Sequence, residues 1–156
     1  MKQTLIDSFS GEYEFLSNFY ITNLVYDGIP YTNSEAAFQA AKIYYPGDKH
    51  RTIQERMEFS TYTPSMAKRM GRRSIVLRSD WERVKDGIML DILRAKFEQN
   101  PYLRDKLIET GDAVLVEGNT WHDCYWGDCD CPKCQHKTGK NMLGKLLMKL
   151  REEFKQ

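Results

Sequence analysis

All four cysteines of this chain, Cys124, Cys129, Cys131 and Cys134, fall within eleven consecutive residues, and the 123 residues before them contain none. A cluster that tight cannot tie distant segments together, so burial of apolar side chains must hold the fold. A chain of 156 residues is long enough to do so as one domain, 1–156, with a cysteine-bearing loop at 124–136. The composition supplies the material, with 41% apolar and 12% aromatic residues. A cysteine-free body points to a reducing, cytoplasmic setting. In agreement, Met1–Ser10 carries one lysine and no apolar run of the kind a secretory signal needs. No stretch approaches the roughly 20 apolar residues of a membrane span. Lys and Arg total 23 against 22 Asp and Glu, a net charge of +1. That parity argues against a polybasic binder living on many phosphate contacts, while leaving room for a local basic patch.

Along the chain, short strands come first. Thr4–Phe9 is β-prone, and Leu24–Tyr26, Asp27-Gly28 and Ile29–Tyr31 read as a hairpin turning on Asp-Gly. Thr32 and Glu35 fit a capping box as N-cap and N3 of a helix that runs through Lys42 and stops at Pro46-Gly47. A second helix is expected over Pro64–Met70, with Pro64 near N1 and Gly71 at C′. The longest spans Asp80–Glu98, with Trp81, Val84, Ile88, Ile92 and Ala95 on one face. Asn100 caps another that ends before Gly111, Ala113–Val116 is a buried strand, and the last helix runs from Asn141 to Phe154. Between them, Glu117–Gly139 has no periodicity and is dense in Gly, Asn, Asp, Trp, His and Cys. The pattern is α+β, helix-rich, with a small antiparallel sheet and one long irregular segment of the kind usually tied to function.

Five places carry candidate chemistry. Glu35, Gln39 and Lys42 share one helical stripe flanked by alanines, so a carboxylate, an amide and an ammonium are presented together; the plain alternative is a capping Glu on a solvated face. Trp121–Asp128 packs two indoles, a phenol, an imidazole and two carboxylates into eight residues, a stacking platform for a flat ring or else a local aromatic mini-core. Lys68, Arg69, Arg72 and Arg73, with Arg78 close by, can hold a phosphate or merely face solvent. Cys124, Cys129, Cys131 and Cys134, flanked by His122 and His136, are either a structural zinc site, with Cys131-Pro132-Lys133-Cys134 as a typical ligand pair, or a loop of free thiols. Gly139–Lys145 opens the last helix and could aim backbone N–H groups at an anion, although its glycine spacing is not that of a P-loop.

Taken in order, Phe15–Phe19, Ser34–Lys42, Ala67–Arg72, Trp81–Lys85, Leu93–Phe97, Leu115–Glu117, Asp123–Gly127 and Gly139–Gly144 resemble the blocks of the YbiA-like, or NADAR, family, from about residue 9 to 151. The run Cys129–Cys134 departs from its simplest members, which carry a glycine-rich turn there. The resemblance implies an N-glycosidase acting at ribose C1. Its substrates would be ribosylamino-pyrimidine phosphates of the riboflavin pathway, or ADP-ribose attached to guanine in nucleic acid. It further implies that Glu35, Trp81 and Trp126 are needed for activity, and Lys42 and Asp123 match the same motifs. On that basis the expected catalytic set is Glu35, Lys42, Asp123 and Trp126. The expected substrate contacts are Asn18, Phe19, Gln39, Arg69, Gly71, Arg72, Trp81 and Asn141. No cofactor is needed for catalysis in this reading. Two other readings stay open: a non-catalytic module that holds ADP-ribose or NAD, and a zinc-stabilised interaction domain.

Overall fold

A computed structural model describes residues 4–134 and 138–156; His136 therefore lies outside the described residues. The elements are β1 (Leu5–Ile6), β2 (Ile21–Tyr26), β3 (Ile29–Asn33), α1 (Ser34–Ala40), α2 (Lys49–Met57), α3 (Pro64–Arg73), α4 (Trp81–Gln99), α5 (Pro101–Glu109), β4 (Val114–Leu115), β5 (Gly118–Asn119), β6 (Asp128–Cys129) and α6 (Met142–Lys155). They pack as two compact units: Asn18–Asn100, and Met1–Ser17 with Pro101–Gln156. The class is α+β, with three two-stranded sheets among the described residues. No described helix is long and apolar enough to cross a membrane.

In the unit Asn18–Asn100, β2 and β3 form the antiparallel hairpin that the Asp-Gly signal predicts. Asp27 and Gly28 both have positive φ, 51° and 82°, the signature of a type I′ turn whose twist matches the strands. The chain then enters α1, which is capped one residue later than the capping-box spacing suggests. Asn33 is the N-cap, its Oδ1 accepting from Ala36 N at 2.8 Å, because Thr32 stays in β3 and donates its hydroxyl to Tyr62 O instead. Every residue of α1 is buried. Its alanines let α3, α4, β3 and the 3-10 turn Glu58–Thr61 close around it. The helix stops at Ala40, short of Pro46-Gly47, and residues 41–42 continue only as a turn.

The helix α2 has no counterpart in the sequence reading; it starts on an Asp48 side-chain cap to Arg51 N. Thr63 caps α3 with Pro64 in its first turn. The helix runs past Gly71 to Arg73, so Gly71 is an interior residue and not a terminator. α4 spans 19 residues, and its buried face is Trp81, Met89, Ile92, Leu93, Lys96 and Phe97, rotated from the expected one, while Val84, Ile88 and Ala95 are half-buried. At its end Gln99 clamps the main chain of Val25 through two hydrogen bonds of 2.7 and 2.8 Å.

In the other unit β1 pairs parallel with β4, and β5 parallel with β6. α5 and α6 pack together, α6 also covering β4. Leu16, Leu103, Leu107, Leu115, Leu143, Leu147 and Leu150 are buried, and Met142 and Leu146 are half-buried.

Candidate functional site

The unit Asn18–Asn100 concentrates polar groups around α1. Glu35 is only 8% exposed, an expensive place for a carboxylate unless it is satisfied. Its Oε1 accepts from Gln39 Nε2 at 2.8 Å, one helical turn on. The main chain of Glu35, an orphan donor of the first turn, donates to Asn18 O at 3.1 Å. Asn18 thus pins the helix start, while its buried side-chain Oδ1 has no hydrogen-bond partner among the described residues. Gln39 Oε1 is likewise unpartnered. It lies where a β-carbon on Gly71 would sit, at 2.0 Å. Glycine at 71 is thus what lets α3 approach α1 closely enough to trap the Gln39 amide between Glu35 and the α3 backbone.

Lys42 follows the end of α1, with its ammonium 5.8 Å from the centre of the Trp81 ring. Burial holds its pKa below the usual lysine value; Arg72 and Lys68 lower it further, against the raising effect of Glu35. Trp81 is 7% exposed and packs against Phe38 at a centroid distance of 5.0 Å. Its visible contacts therefore orient Lys42 by a cation–π interaction and leave little ring for stacking.

Beside this lies a cleft of about 310 Å³ lined by Phe19, Ser65, Lys68, Arg69, Arg72 and Arg73. Phe19 is 42% exposed, with Lys68 Nζ 5.8 Å from its ring. Among the described residues no carboxylate pairs with these four cations, so an anionic group entering the cleft meets uncommitted charge. Arg78 drops out of the basic set. It is bonded to both carboxylate oxygens of Asp80, at 2.6 and 3.0 Å, and stacks on Tyr44 at 4.4 Å.

The other unit carries Asp123, Trp126, Asn141 and the cysteines. Asn119 shapes the loop: its Oδ1 accepts from Trp121 N and Asp123 N, and its Nδ2 donates to Asp123 O. Asp123 Oδ1 accepts from the main chains of Tyr125 and Trp126, at 3.2 and 2.9 Å. Trp126 is half-buried, edge-on to Tyr125. Asn141, at φ 49°, spends its amide on Glu117 N and Leu115 O, a joint rather than a free contact. The anion reading of the α6 start is overturned: Met142 N and Leu143 N donate to Tyr125 O and Trp126 O, so the loop consumes the donors an anion would need. Gly127, Gly139 and Gly144 each meet neighbouring backbone where a β-carbon would be, which is why this stretch is glycine-rich.

His122, Cys129, Cys131 and Cys134 bring their ligand atoms within 4.8 Å of one another and could hold a metal ion. Cys124 packs beside the sulfurs, half-buried. Sequence spacing alone left His122 a flanking residue; it adopts φ 71°, and its Nδ1 lies 3.1 Å from Cys131 Sγ.

Comparison with known proteins gives a consistent answer. The chain is 44% identical over 157 aligned residues to N-glycosidase YbiA of Escherichia coli, covering 99% of this chain and 91% of that protein. It is 34% identical over 143 residues to the riboflavin biosynthesis protein VVA0006 of Vibrio vulnificus, covering 91% of this chain and 36% of that protein. The NMR structure of E. coli YbiA matches with a TM-score of 0.78 at 42% identity, covering 99% of this chain and 86% of that one. Residues 7–155 match the NADAR domain, and the chain belongs to the NADAR domain family.

Proposed function

We propose that this chain is an N-glycosidase that hydrolyses the C1–N bond of a phosphorylated ribose, with residues 1–156 working as a single NADAR domain. The observation that carries the reading is the buried Glu35 carboxylate, held by Gln39 on α1, in a unit whose cationic cleft suits phosphate. The printed name of the E. coli relative supports the reaction.

Breaking C1–N sends the bonding pair to nitrogen and leaves positive charge on the ribose. Glu35 gives its proton to the departing nitrogen, then takes one from the water whose oxygen bonds to C1. Asp123 is the carboxylate that stabilises the oxocarbenium charge, and Trp126 stacks on the base or sugar; both assignments rest on the family motif. Arg69 and Arg72 hold the phosphate, Phe19 offers a ring at the cleft, and the unpartnered acceptors of Asn18 and Gln39 suit ribose hydroxyls. Lys42, with its pKa lowered chiefly by burial, has a further route: its neutral amine adds to C1 of the ring-opened C1=N form, the original nitrogen takes a proton and leaves as the free amine, and water then cleaves the resulting Schiff base to release the sugar and the lysine.

Ribosylamino-pyrimidine phosphates of the riboflavin pathway are the favoured substrates, in keeping with the name of the Vibrio relative and with a cytoplasmic reaction. ADP-ribose on guanine is the second reading, favoured by a cleft with four cations, more than one phosphate requires. No cofactor takes part, and the His–Cys cluster is assigned a structural metal outside the reaction.

Mass spectrometry of both substrates incubated with the protein tests this. The expected products are the free base and the phosphorylated sugar. Glu35→Gln keeps an acceptor for Gln39 but loses the transferable proton, so turnover should fall by roughly 10²–10⁴ with the melting temperature preserved. Near-normal turnover of that variant sinks the assignment, and a ligand bound but uncut points to a holding module. Borohydride should trap substrate on wild-type protein and not on Lys42→Met if the Schiff-base route operates.

A further inference from the structure

The loop between β5 and α6 contains a feature that glycosidase chemistry does not use. We propose that His122, Cys129, Cys131 and Cys134 bind one zinc ion, and that the ion braces the loop presenting Asp123 and Trp126. The importance of those two residues rests on the glycosidase reading; the metal site does not.

Three thiols and one imidazole are the donor set of a closed structural zinc site, and they disfavour hard cations such as magnesium and calcium. The geometry is nearly assembled. His122 Nδ1 lies 3.1 Å from Cys131 Sγ and 3.5 Å from Cys134 Sγ, and all four ligand atoms fall within 4.8 Å. Around a tetrahedral zinc with bonds of about 2.0–2.3 Å, ligand atoms sit roughly 3.5–3.8 Å apart. Small side-chain movements therefore close the site without moving the backbone.

The surroundings are also those of a ligating sulfur. Cys129 Sγ accepts from His122 N at 3.3 Å and from Cys131 N at 3.5 Å, bonds that orient and stabilise a thiolate. Cys131 and Cys134 bracket a tight turn closed by Cys134 N donating to Cys131 O at 3.0 Å. His122 adopts φ 71°, a strained conformation for a side-chain-bearing residue that persists only where something rewards it. The three cysteines form a small core, and among the described residues Cys124 is the apolar neighbour packed against them. Metal binding would add its free energy to a loop otherwise held by the hydrogen bonds of Asn119, Asp123 and the start of α6. The three thiol protons pass to solvent as zinc binds.

The bracing follows from chain order. His122 immediately precedes Asp123, and Cys129 lies in β6, whose partner β5 contains Asn119, the residue that shapes the Trp121–Asp123 turn. One ion would thus fix the loop on both sides of Asp123–Trp126.

The test uses the full-length protein purified without chelators. Elemental analysis should find about one zinc per chain, and cobalt(II) replacement should give the visible bands of a tetrahedral thiolate site. Cys131→Ser and His122→Ala should lose those bands, while Cys124→Ser keeps them. Chelation should speed amide exchange across residues 118–134 and leave α1 protected. Wild-type protein that takes up neither zinc nor cobalt overturns the site, whether or not the variants fold. Metal uptake with unchanged loop exchange overturns the bracing. Absent turnover with zinc bound would count against the glycosidase reading alone.

Discussion

Gly71 is the residue on which the geometry around Glu35 turns. A β-carbon there would stand 2.0 Å from Gln39 Oε1, 2.7 Å from its Cδ and 3.0 Å from its Cβ. The clash thus reaches past the flexible end of the side chain into its root. Gly71→Ala should push Gln39 off Glu35 and force α3 from α1, costing about 1–3 kcal/mol of stability as an overpacked core does, with a matching loss of turnover. The helix propensity of alanine works in the opposite direction and is the smaller effect, up to about 1 kcal/mol. Gly87 supplies the control: it is also inside a helix, but a β-carbon there meets nothing within 4 Å. Gly87→Ala should raise the melting temperature while Gly71→Ala lowers it, as thermal denaturation of the pair would show. Equal shifts of the same sign would mean that the contact with Gln39 is not what selects glycine at 71.

At the scale of elements, α4 hides a charge. Lys96 is fully buried, its ammonium 5.2 Å from the Phe97 ring and 5.7 Å from that of Tyr20, and burial lowers its pKa to about 7. The unfolded chain holds this proton up to pH 10.5. Between those values the unfolded state binds more protons, so stability rises with pH, by on the order of 1 kcal/mol per unit. Lys96→Met should raise the urea midpoint at pH 7 and flatten its climb toward pH 9; parallel pH profiles for variant and wild type would refute this. The position was half legible, since Lys96 stands at i+4 from Ile92 and i+7 from Met89, on the stripe that proves buried. Other elements were legible because their signals are local. Asp27-Gly28 fixes a turn by backbone handedness, and Pro64 starts a helix by its preset φ. The misreadings came from tertiary demands. Thr32 was drawn into β3, moving the cap to Asn33, and Gly71 was chosen for space beside Gln39. The polar segment Lys49–Met57 has no apolar stripe strong enough to announce α2. Likewise helical spacing placed Gln39 beside Glu35, although Lys42 lies beyond the end of α1, whereas no periodicity reports the approach of His122 to the sulfurs.

At the scale of the whole chain, charge decides what kind of phosphate ligand fits. The net charge is +1, so no long-range positive field draws in a polyanion. Four cations with no carboxylate partner among the described residues line one cleft of about 310 Å³, room for one or two phosphates and not for a run of them. Binding to extended nucleic acid rests on many phosphate contacts, each adding about 0.7–0.9 to the slope of log affinity against log salt. A cleft that engages one or two phosphates should therefore show a slope of about 1–2, and the same slope whether the modified nucleotide is free or embedded in an oligonucleotide. On the second substrate reading, KM values measured for ADP-ribosylated guanosine and for the same nucleotide within a long strand should then agree within a few-fold across the salt range. Arg72→Ala should weaken both to the same degree and lower both slopes by about one contact's worth. A much steeper slope for the strand, or a strand that binds far tighter than the nucleotide at low salt, would mean that cations outside the cleft track a backbone, and the small-ligand reading would give way to nucleic-acid recognition.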